Sequence, residues 1–391
     1  MHDVLALHGG EPTTREPFPP WPQFAERTLQ DILEPLKTGR VASWSGGRVI
    51  EFENRWAAWL GVPHAVACSS GTAALHLALL ALGISAGDEV ILPSHTFVST
   101  ALAPLHVGAT PVFCDVTDDQ TIDPRALERL VTNRTRAVIV VHLYGIVCDM
   151  ERIVPLAHRF GLKVVEDCAQ CVGGETAGKK AGTNGDAGCF SFSQGKHISS
   201  GGEGGMIVTA DDRVAGECRS LRDYGRSLAE PCPGAHVRAG FNCRLTELQA
   251  IVGLNEIARL DSWNLPRRRG YARIYDHAFA QFPGVRSLPL NAAIRRNAYW
   301  KYPLQLSMES FTRDTEELRR ALCAEGIPDA GSVWPEAYEE PIFAEKGFPR
   351  CPNAEAVRRR TLVLALPPTW EKSHVETCAA AVKKVLRAYR R

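Results

Sequence analysis

Neither sign of charge is in excess in this chain. Forty-five Lys and Arg residues stand against 44 Asp and Glu in 391 residues, a formal net charge of +1. That balance leaves no electrostatic footprint for nucleic acid or an anionic membrane surface. No run of about 18 apolar residues occurs, so no membrane-spanning helix is expected. The start, Met1-His2-Asp3-Val4-Leu5-Ala6-Leu7-His8, lacks the charged n-region and apolar core of a secretory signal. Internal repeats and low-complexity segments are missing. The 12 cysteines are scattered instead of spaced as a disulfide framework, and they read as reduced thiols of a cytoplasmic protein. Cys168-Ala169-Gln170-Cys171 has CxxC spacing, but no second pair or matching histidines accompany it, so no metal site is expected. The basic runs Arg267–Arg269 and Arg358–Arg360 are short enough to be solvated helix faces.

What is present is alternation. After a Gly- and Pro-rich stretch over 9–22 that predicts an extended arm, helices are expected at about 25–37 and 48–60. From Ala65 onward, short apolar or β-branched runs alternate with amphipathic segments. The runs are Ala65–Cys68, Glu89–Leu92, Pro111–Cys114, Ala137–Val141, Lys163–Glu166, Cys189–Phe192 and Gly205–Thr209. Helices fit between them at about 72–82, 97–107, 124–131, 150–160 and 212–221. This pattern predicts an α/β fold: a mostly parallel, mixed seven-stranded sheet covered by helices on both faces. Composition shifts near Trp263-Asn264-Leu265-Pro266. An Arg-rich helix, a strand over Tyr299–Leu306 and helices over Glu316–Glu325 and Glu371–Tyr389 predict a smaller C-terminal α+β domain. Pro303 suggests an edge position or a bulge. The expected division is an arm (1–22), a large domain (23–260) and a small domain (261–391).

Ligands of such sheets bind beyond the carboxyl ends of the strands. One run ends in Val164-Val165-Glu166-Asp167-Cys168-Ala169-Gln170. Another leads into Ser191-Phe192-Ser193-Gln194-Gly195-Lys196, followed by the small residues Ser199-Ser200-Gly201-Gly202. A lone lysine is ordinarily a solvated surface residue. This one is flanked by residues that let backbone approach a ligand closely. An amine and a carboxylate delivered by strand ends suit pyridoxal 5'-phosphate (PLP): the amine bonds the aldehyde and the carboxylate keeps the pyridine nitrogen protonated. Ser69-Ser70-Gly71-Thr72 opens a helix, either as a plain N-cap or as a phosphate site. Phe97, after Pro93-Ser94-His95-Thr96, is either a core residue or a ring that stacks on a cofactor.

Seven motifs in order resemble the DegT/DnrJ/StrS family of PLP-dependent sugar and cyclitol aminotransferases. They are Ser70–Leu79, Gly87–Ser94, Gly108–Phe113, Val141–Gly145, Glu166–Gln170, Phe190–Gly205 with Lys196 inside it, and Gly240–Ala250. The resemblance runs from about residue 9 to the C-terminus and implies PLP fold type I. It implies covalent attachment of the cofactor at Lys196, pairing of Asp167 with the pyridine nitrogen, and stacking of Phe97 on the ring. Ser70, Gly71, Thr72 and Ser191 would hold the phosphate, and Gln170 would lie near the ring and its 3′ oxygen. Asn242 would reach the phosphate in a neighbouring subunit, which makes a homodimer the minimal active unit.

The implied reaction moves an amino group from glutamate or glutamine to a keto group on a sugar or cyclitol. Nucleotide-sugar members often carry a His-Tyr-x-Pro-Leu-His-like segment, and Ser332-Val333-Trp334-Pro335-Glu336-Ala337-Tyr338 stands here instead. The arm and Ser193-Gln194-Gly195-Lys196 are similar to those of members acting on ketocyclitols or making aminohydroxybenzoate. The acceptor expectation therefore leans toward a substrate without a nucleotide. Two rivals stand beside this reading. One is a PLP-dependent sugar dehydratase, in which the family replaces the lysine by histidine. The other is a non-catalytic PLP- or sugar-binding regulator. His142 is expected to be structural. Glu203 and Tyr224 are left open, and Trp44 and Arg244 are candidates for the substrate mouth.

Overall fold

The computed structural model describes residues 4–227, 233–286, 288, 293–328, 330–331 and 333–391. The apolar and β-branched runs form β1 (His64–Cys68), β2 (Glu89–Pro93), β3 (Thr110–Cys114), β4 (Thr135–Val141) and β5 (Lys163–Asp167). A two-residue hairpin, β6 (Glu175–Thr176) and β7 (Lys179–Lys180), precedes β8 (Ala187–Ser191) and β9 (Gly205–Thr209). The seven longer strands make one sheet in the order β1-β9-β8-β5-β4-β2-β3. Only β9 runs against its neighbours, as expected for two runs with no helix between them.

Helices α1 (Glu26–Asp31), α2 (Leu33–Thr38), α3 (Arg48–Leu60), α4 (Gly71–Ala81), α5 (Val98–His106), α6 (Pro124–Leu130) and α7 (Met150–Arg159) come next in chain order. They are followed by α8 (Asp212–Leu221), α9 (Glu247–Ala258) and α10 (Leu265–Phe279). Alternate side chains of each strand enter different cores. Val90, Leu92, Ala137, Ile139 and Val165 pack with α4, α5 and α8. Ile91, Val138, Val140 and Val164 pack with α6 and α7. Ala65, Ala67, Met206 and Val208 pack with α3 and α9. The sheet is thus covered on both faces, the doubly clad α/β architecture expected of it.

The helix expected over 25–37 breaks at Ile32 into α1 and α2. Pro35 has no N–H to give the Asp31 carbonyl and its ring crowds that oxygen. Helix α9 was not foreseen as an element, although Thr246 and Gln249 form a capping box at its start that is visible in the sequence. A π-type turn, Leu260–Asn264, carries α9 into α10.

Beyond α10, β10 (Val285–Arg286), β12 (Tyr302–Leu306) and β13 (Thr361–Leu364) form a three-stranded sheet. β11 (Arg295–Arg296) joins the β6–β7 hairpin instead. β12 is the middle strand, not an edge. Its proline is tolerated because β10 pairs only with Gln305 and Leu306, so Pro303 faces a ladder on the β13 side alone. Helices α11 (Thr315–Ala324), α12 (Pro341–Ala344), α13 (Pro352–Arg359) and α14 (Lys372–Ala388) complete the described chain. Leu304, Leu306, Leu318, Leu322, Val382 and Leu386 build a core of their own with α10. Ala337, Tyr338, Phe343 and Ala354 pack instead into the α4–α5 core.

The arm has no helix or strand over residues 10–25. Leu5 is buried with Tyr271 and Tyr275. Glu325, fully buried, accepts from the Ala6 N–H at 2.9 Å, the Thr13 N–H and hydroxyl at 2.8 Å, and Lys384 Nζ at 2.8 Å.

Trp56 on α3 has no exposed surface and lies 4.9–5.2 Å from Phe190 and Phe192, the aromatics that flank Ser191. Trp56→Ala is expected to cost about 3–5 kcal/mol of stability, read as a lowered midpoint in denaturant with the slope unchanged.

Candidate active site

The carboxyl ends of β1, β2, β5 and β8 lie at one edge of the sheet. Each delivers part of one constellation. β5 ends in two adjacent carboxylates that alternation sends to opposite faces. Glu166 goes below. Its oxygens accept from the Gly182, Asn184 and Gly185 N–H groups at 2.7–2.9 Å and from His142 Nε2 at 3.0 Å. Burial alone raises such a carboxyl, but the His142 contacts and these N–H groups outweigh it and hold Glu166 below its ordinary range.

His142 Nδ1 accepts from the Cys148 N–H at 3.0 Å, so Nε2 carries the proton and donates to Glu166. His142 is a structural histidine, as its motif context predicted. Donor atoms of His142, Glu166 and Cys168 lie within 4.8 Å of one another. Both His142 nitrogens and both Glu166 oxygens already have protein partners, and burial pushes the Cys168 thiol well up.

Asp167 faces the other way and is 6% exposed. Its carboxylate accepts from the Thr100 hydroxyl at 2.8 Å and the Ala169 N–H at 3.0 Å. Thr100 in turn exchanges a hydrogen bond with Thr96 at 2.9 Å. Burial raises the Asp167 carboxyl, and the Ala169 N–H, Thr100 and the charge of Lys196 oppose that rise. Lys196 lies past the end of β8 and is partly exposed. Burial lowers its amine to about 8, with Lys301 acting the same way and Asp167 and Glu203 opposing. The two groups are thus close enough for each to feel the other's charge.

The start of α4 stands over Ser191. A Cβ on Gly71 would lie 2.7 Å from Ser191 Cβ, so only glycine permits this approach. Ser70 Oγ caps the Ala73 N–H at 3.1 Å, and Thr72 Oγ1 donates to Ser99 Oγ at 3.0 Å. The first N–H groups of the helix have no intrahelical partner and carry its positive dipole end. Phe97 keeps 44% of its surface exposed and meets Trp334 at 5.6 Å. Gln170 is buried and accepts from the Tyr144 N–H at 2.8 Å.

The structure therefore brings Ser70, Gly71, Thr72, Phe97, Asp167, Gln170, Ser191 and Lys196 to one edge. Asn242 is exposed and bridges to Asp223, next to Cys243, whose carbonyl accepts from the Ser69 N–H at 2.9 Å. Among the described residues, no hydrogen bond joins it to the Lys196 cluster of its own chain. Ser332 lies outside the described residues.

The family model described as the DegT/DnrJ/EryC1/StrS aminotransferase family matches residues 22–383. The chain belongs to this family. It is a transaminase. It is 38% identical to the UDP-N-acetyl-3-dehydro-alpha-D-glucosamine 3-aminotransferase of Acidithiobacillus ferrooxidans, over 87% of this chain and 88% of that one. It is 39% identical to the L-glutamine:2-deoxy-scyllo-inosose aminotransferase of Streptomyces fradiae, over 78% of this chain and 75% of that one. Among solved structures, the aminotransferase from Psychrobacter cryohalolentis superposes with a TM-score of 0.90 at 31% identity, covering 95% of this chain and 100% of that one.

The aminotransferase also has an aromatic wall that sequence reasoning missed. A cavity of about 700 Å³ opens beside Gly195, lined in part by Trp21, Tyr144, Trp300, Lys301 and Trp334. Trp334 stacks on Tyr144 and on Trp300, each at 6.1 Å between centroids and within about 11° of parallel. Two indole N–H groups grip consecutive carbonyls at and before the lysine. Trp21 Nε1 donates to the Lys196 carbonyl at 2.8 Å, and Trp300 Nε1 to the Gly195 carbonyl at 2.6 Å. The motif Leu143-Tyr144-Gly145 was visible, but nothing local paired it with Trp300. Glu203 stays near through Ser193 Oγ at 3.4 Å. Arg244 pairs with Asp223 and lies 4.8 Å over Tyr224. Trp44 is 78% exposed. Neither Trp44 nor Arg244 has a contact with Lys196 among the described residues of this chain.

Proposed function

We propose that this transaminase is PLP-dependent and moves an amino group from glutamine or glutamate to a keto group on a sugar or cyclitol. One observation carries the reading. A partly exposed amine of lowered pKa and a buried carboxylate converge from two strand ends, beside a helix N-terminus that glycine lets approach Ser191. These residues fit PLP. Lys196 would bond its aldehyde, Asp167 would face its pyridine nitrogen, and Phe97 would cover the ring. Gly71, Thr72, Ser70 and Ser191 would hold the phosphate, with Gln170 beside the ring. PLP supplies an electron sink for the bonds at the amino-bearing carbon.

The chain's residues do the rest. Lys196 Nζ, with a pKa of about 8, takes and returns a proton at the donor α carbon near neutral pH. Asp167, fixed by Thr100 and the Ala169 N–H, keeps a negative charge in a dry setting where it acts strongly. The named activities of the relatives support an acceptor that is a keto sugar or ketocyclitol, and the scyllo-inosose enzyme supports glutamine as donor.

A homodimer with shared sites completes the reading. Leu29, Leu33, Leu36, Trp44, Tyr224, Val237 and Phe241 are large, apolar and exposed. They sit on α1–α2, the 43–47 loop and the stretches 224–227 and 233–241, the last of which leads into Asn242. A partner covering this face would bring a second Asn242 toward the phosphate site. The described cysteines are all free and no described helix is long and apolar enough to cross a membrane; a cytoplasmic location is kept as part of the proposal. The division into arm, large domain and small domain is kept at 1–22, 23–260 and 261–391.

The test is spectroscopic. Supplied with PLP, the purified chain is expected to gain a visible band. Glutamine or glutamate shifts the band, and a ketocyclitol or a nucleotide-linked keto sugar restores it. A folded chain that takes up no cofactor overturns the reading.

A further inference from the structure

We propose that the indole face of Trp300 is the seat of the uncombined Lys196 ammonium, which makes Trp300 a positioning residue for the group that moves the proton. The proposal rests on the reading of Lys196 given above and adds a residue to it. Lys196 Nζ lies 4.6 Å above the centroid of the Trp300 ring, within the range at which a cation is held by an indole quadrupole.

That ring has little freedom. Its Nε1 is fixed to the Gly195 carbonyl at 2.6 Å, so the aromatic face and the lysine it receives are tied to adjacent residues. Trp334 stacks on it at an interplanar angle of 10°, and Tyr144 stacks on Trp334 at 11°. The three planes therefore share one orientation.

The backbone beneath is held in unfavourable conformations to keep it there. Tyr144 and Tyr299 both have φ of +55°, a region that non-glycine residues rarely occupy. The two segments cross. The Trp300 N–H donates to the Tyr144 carbonyl at 2.8 Å, and the Ala298 N–H to the Gly145 carbonyl at 2.8 Å. A Cβ on Gly145 would lie 2.4 Å from the Tyr299 nitrogen, so the crossing requires glycine. Strain of this kind persists only where the surroundings over-determine it, and it gathers at functional sites. Here it fixes a single side chain that contacts the reactive amine.

The seat explains how the amine of a residue that is only partly exposed stays in one place when it is not covalently bound. Lys196 is unbranched and has four side-chain torsions; free, it would sample many positions, whereas a proton carrier must return to one. The charged groups around it are Asp167, Glu203 and Lys301; Lys301 Nζ also lies 5.5 Å from the centroid of the Trp300 ring, so each Trp300 variant is measured in a Lys301→Met background as well.

The experiment measures Lys196 directly. The full chain, stripped of cofactor, is acylated competitively across a pH series with a trace amine reagent, and labelling of the Lys196 peptide is read by mass spectrometry. Wild type is expected to titrate near the value of about 8. Trp300→Leu removes the face and is expected to lower the midpoint by about half a unit. Trp300→Phe loses the Nε1 bond to Gly195 but keeps a face, and is expected to stay nearer to wild type. Equal shifts in both variants assign the effect to the lost hydrogen bond and overturn the proposal, as do unchanged midpoints in both. If Trp300→Leu fails to fold, Trp300→Met takes its place, since it too lacks both the face and the N–H. A midpoint below that of Trp300→Phe supports the seat; a midpoint equal to that of Trp300→Phe overturns it. Because the labelling needs no cofactor, a chain that binds no PLP would defeat the functional reading and leave this measurement standing.

Discussion

Lys196→Ala is expected to abolish turnover while leaving the fold and non-covalent cofactor uptake in place. The change removes the amine that would both tether PLP and move the proton. No other described lysine has a comparable setting: Lys301 lines the cavity beside Gly195 but is not among the small residues that follow β8. The packing cost is low, because Lys196 is only partly buried and its side chain contributes one ring contact, to Trp300. General base catalysis by a positioned group is worth about 100- to 10,000-fold, and loss of the covalent tether adds to that, so a drop below the assay floor is expected. The check is a rate assay beside equilibrium dialysis with PLP and a thermal melt. Near-normal transamination by the folded variant would mean that another residue carries the chemistry.

Asp167→Asn is expected to lower kcat about 100- to 1,000-fold, the range for removing one preorganised electrostatic partner from a water-poor site. The substitution keeps the shape and one acceptor oxygen. The Ala169 N–H can still be satisfied and the Thr100 hydroxyl can turn, so stability should change little. The charge is what disappears. Lys196 feels Asp167 as its largest favourable charge, so the amine should also titrate lower in the variant: an ammonium that loses a carboxylate neighbour gives up its proton at lower pH. The two effects have separate readouts, a rate at saturating substrates and a labelling midpoint without cofactor. A variant with unaltered kcat would remove Asp167 from the chemistry.

The parts of this architecture that were legible in sequence share a cause. Each strand and helix of the large sheet is set by a local period. Alternation at Val164-Val165-Glu166-Asp167 even separates the buried structural acid from the one at the site. Gly71 was legible as part of a helix start, because Ser69-Ser70-Gly71-Thr72 before an apolar run has a local capping signature. The aromatic wall was not, because Trp21, Tyr144, Trp300 and Trp334 come from four distant segments. The crossing of 144–145 with 298–300 brings Tyr144 beside Trp300, and Trp21 and Trp334 come to them from elsewhere in the chain. Pro303 misled for a similar reason. Its consequence depends on how far the partner strand β10 extends, which no property of residue 303 reports. Asn242 stands between these cases: its motif is visible, but its exposed place in a single chain gives it no neighbour at the site.

The anchoring of the arm has its own consequence. Glu325 clamps the chain at Ala6 and Thr13, and the same strand of backbone then travels to Trp21 and the Lys196 carbonyl. A removable tail would have been fastened at one end only; this one is moored at both. Residues 5–21 are therefore held against the body at both ends, and deleting them would remove the indole that bonds the Lys196 carbonyl, 175 positions away.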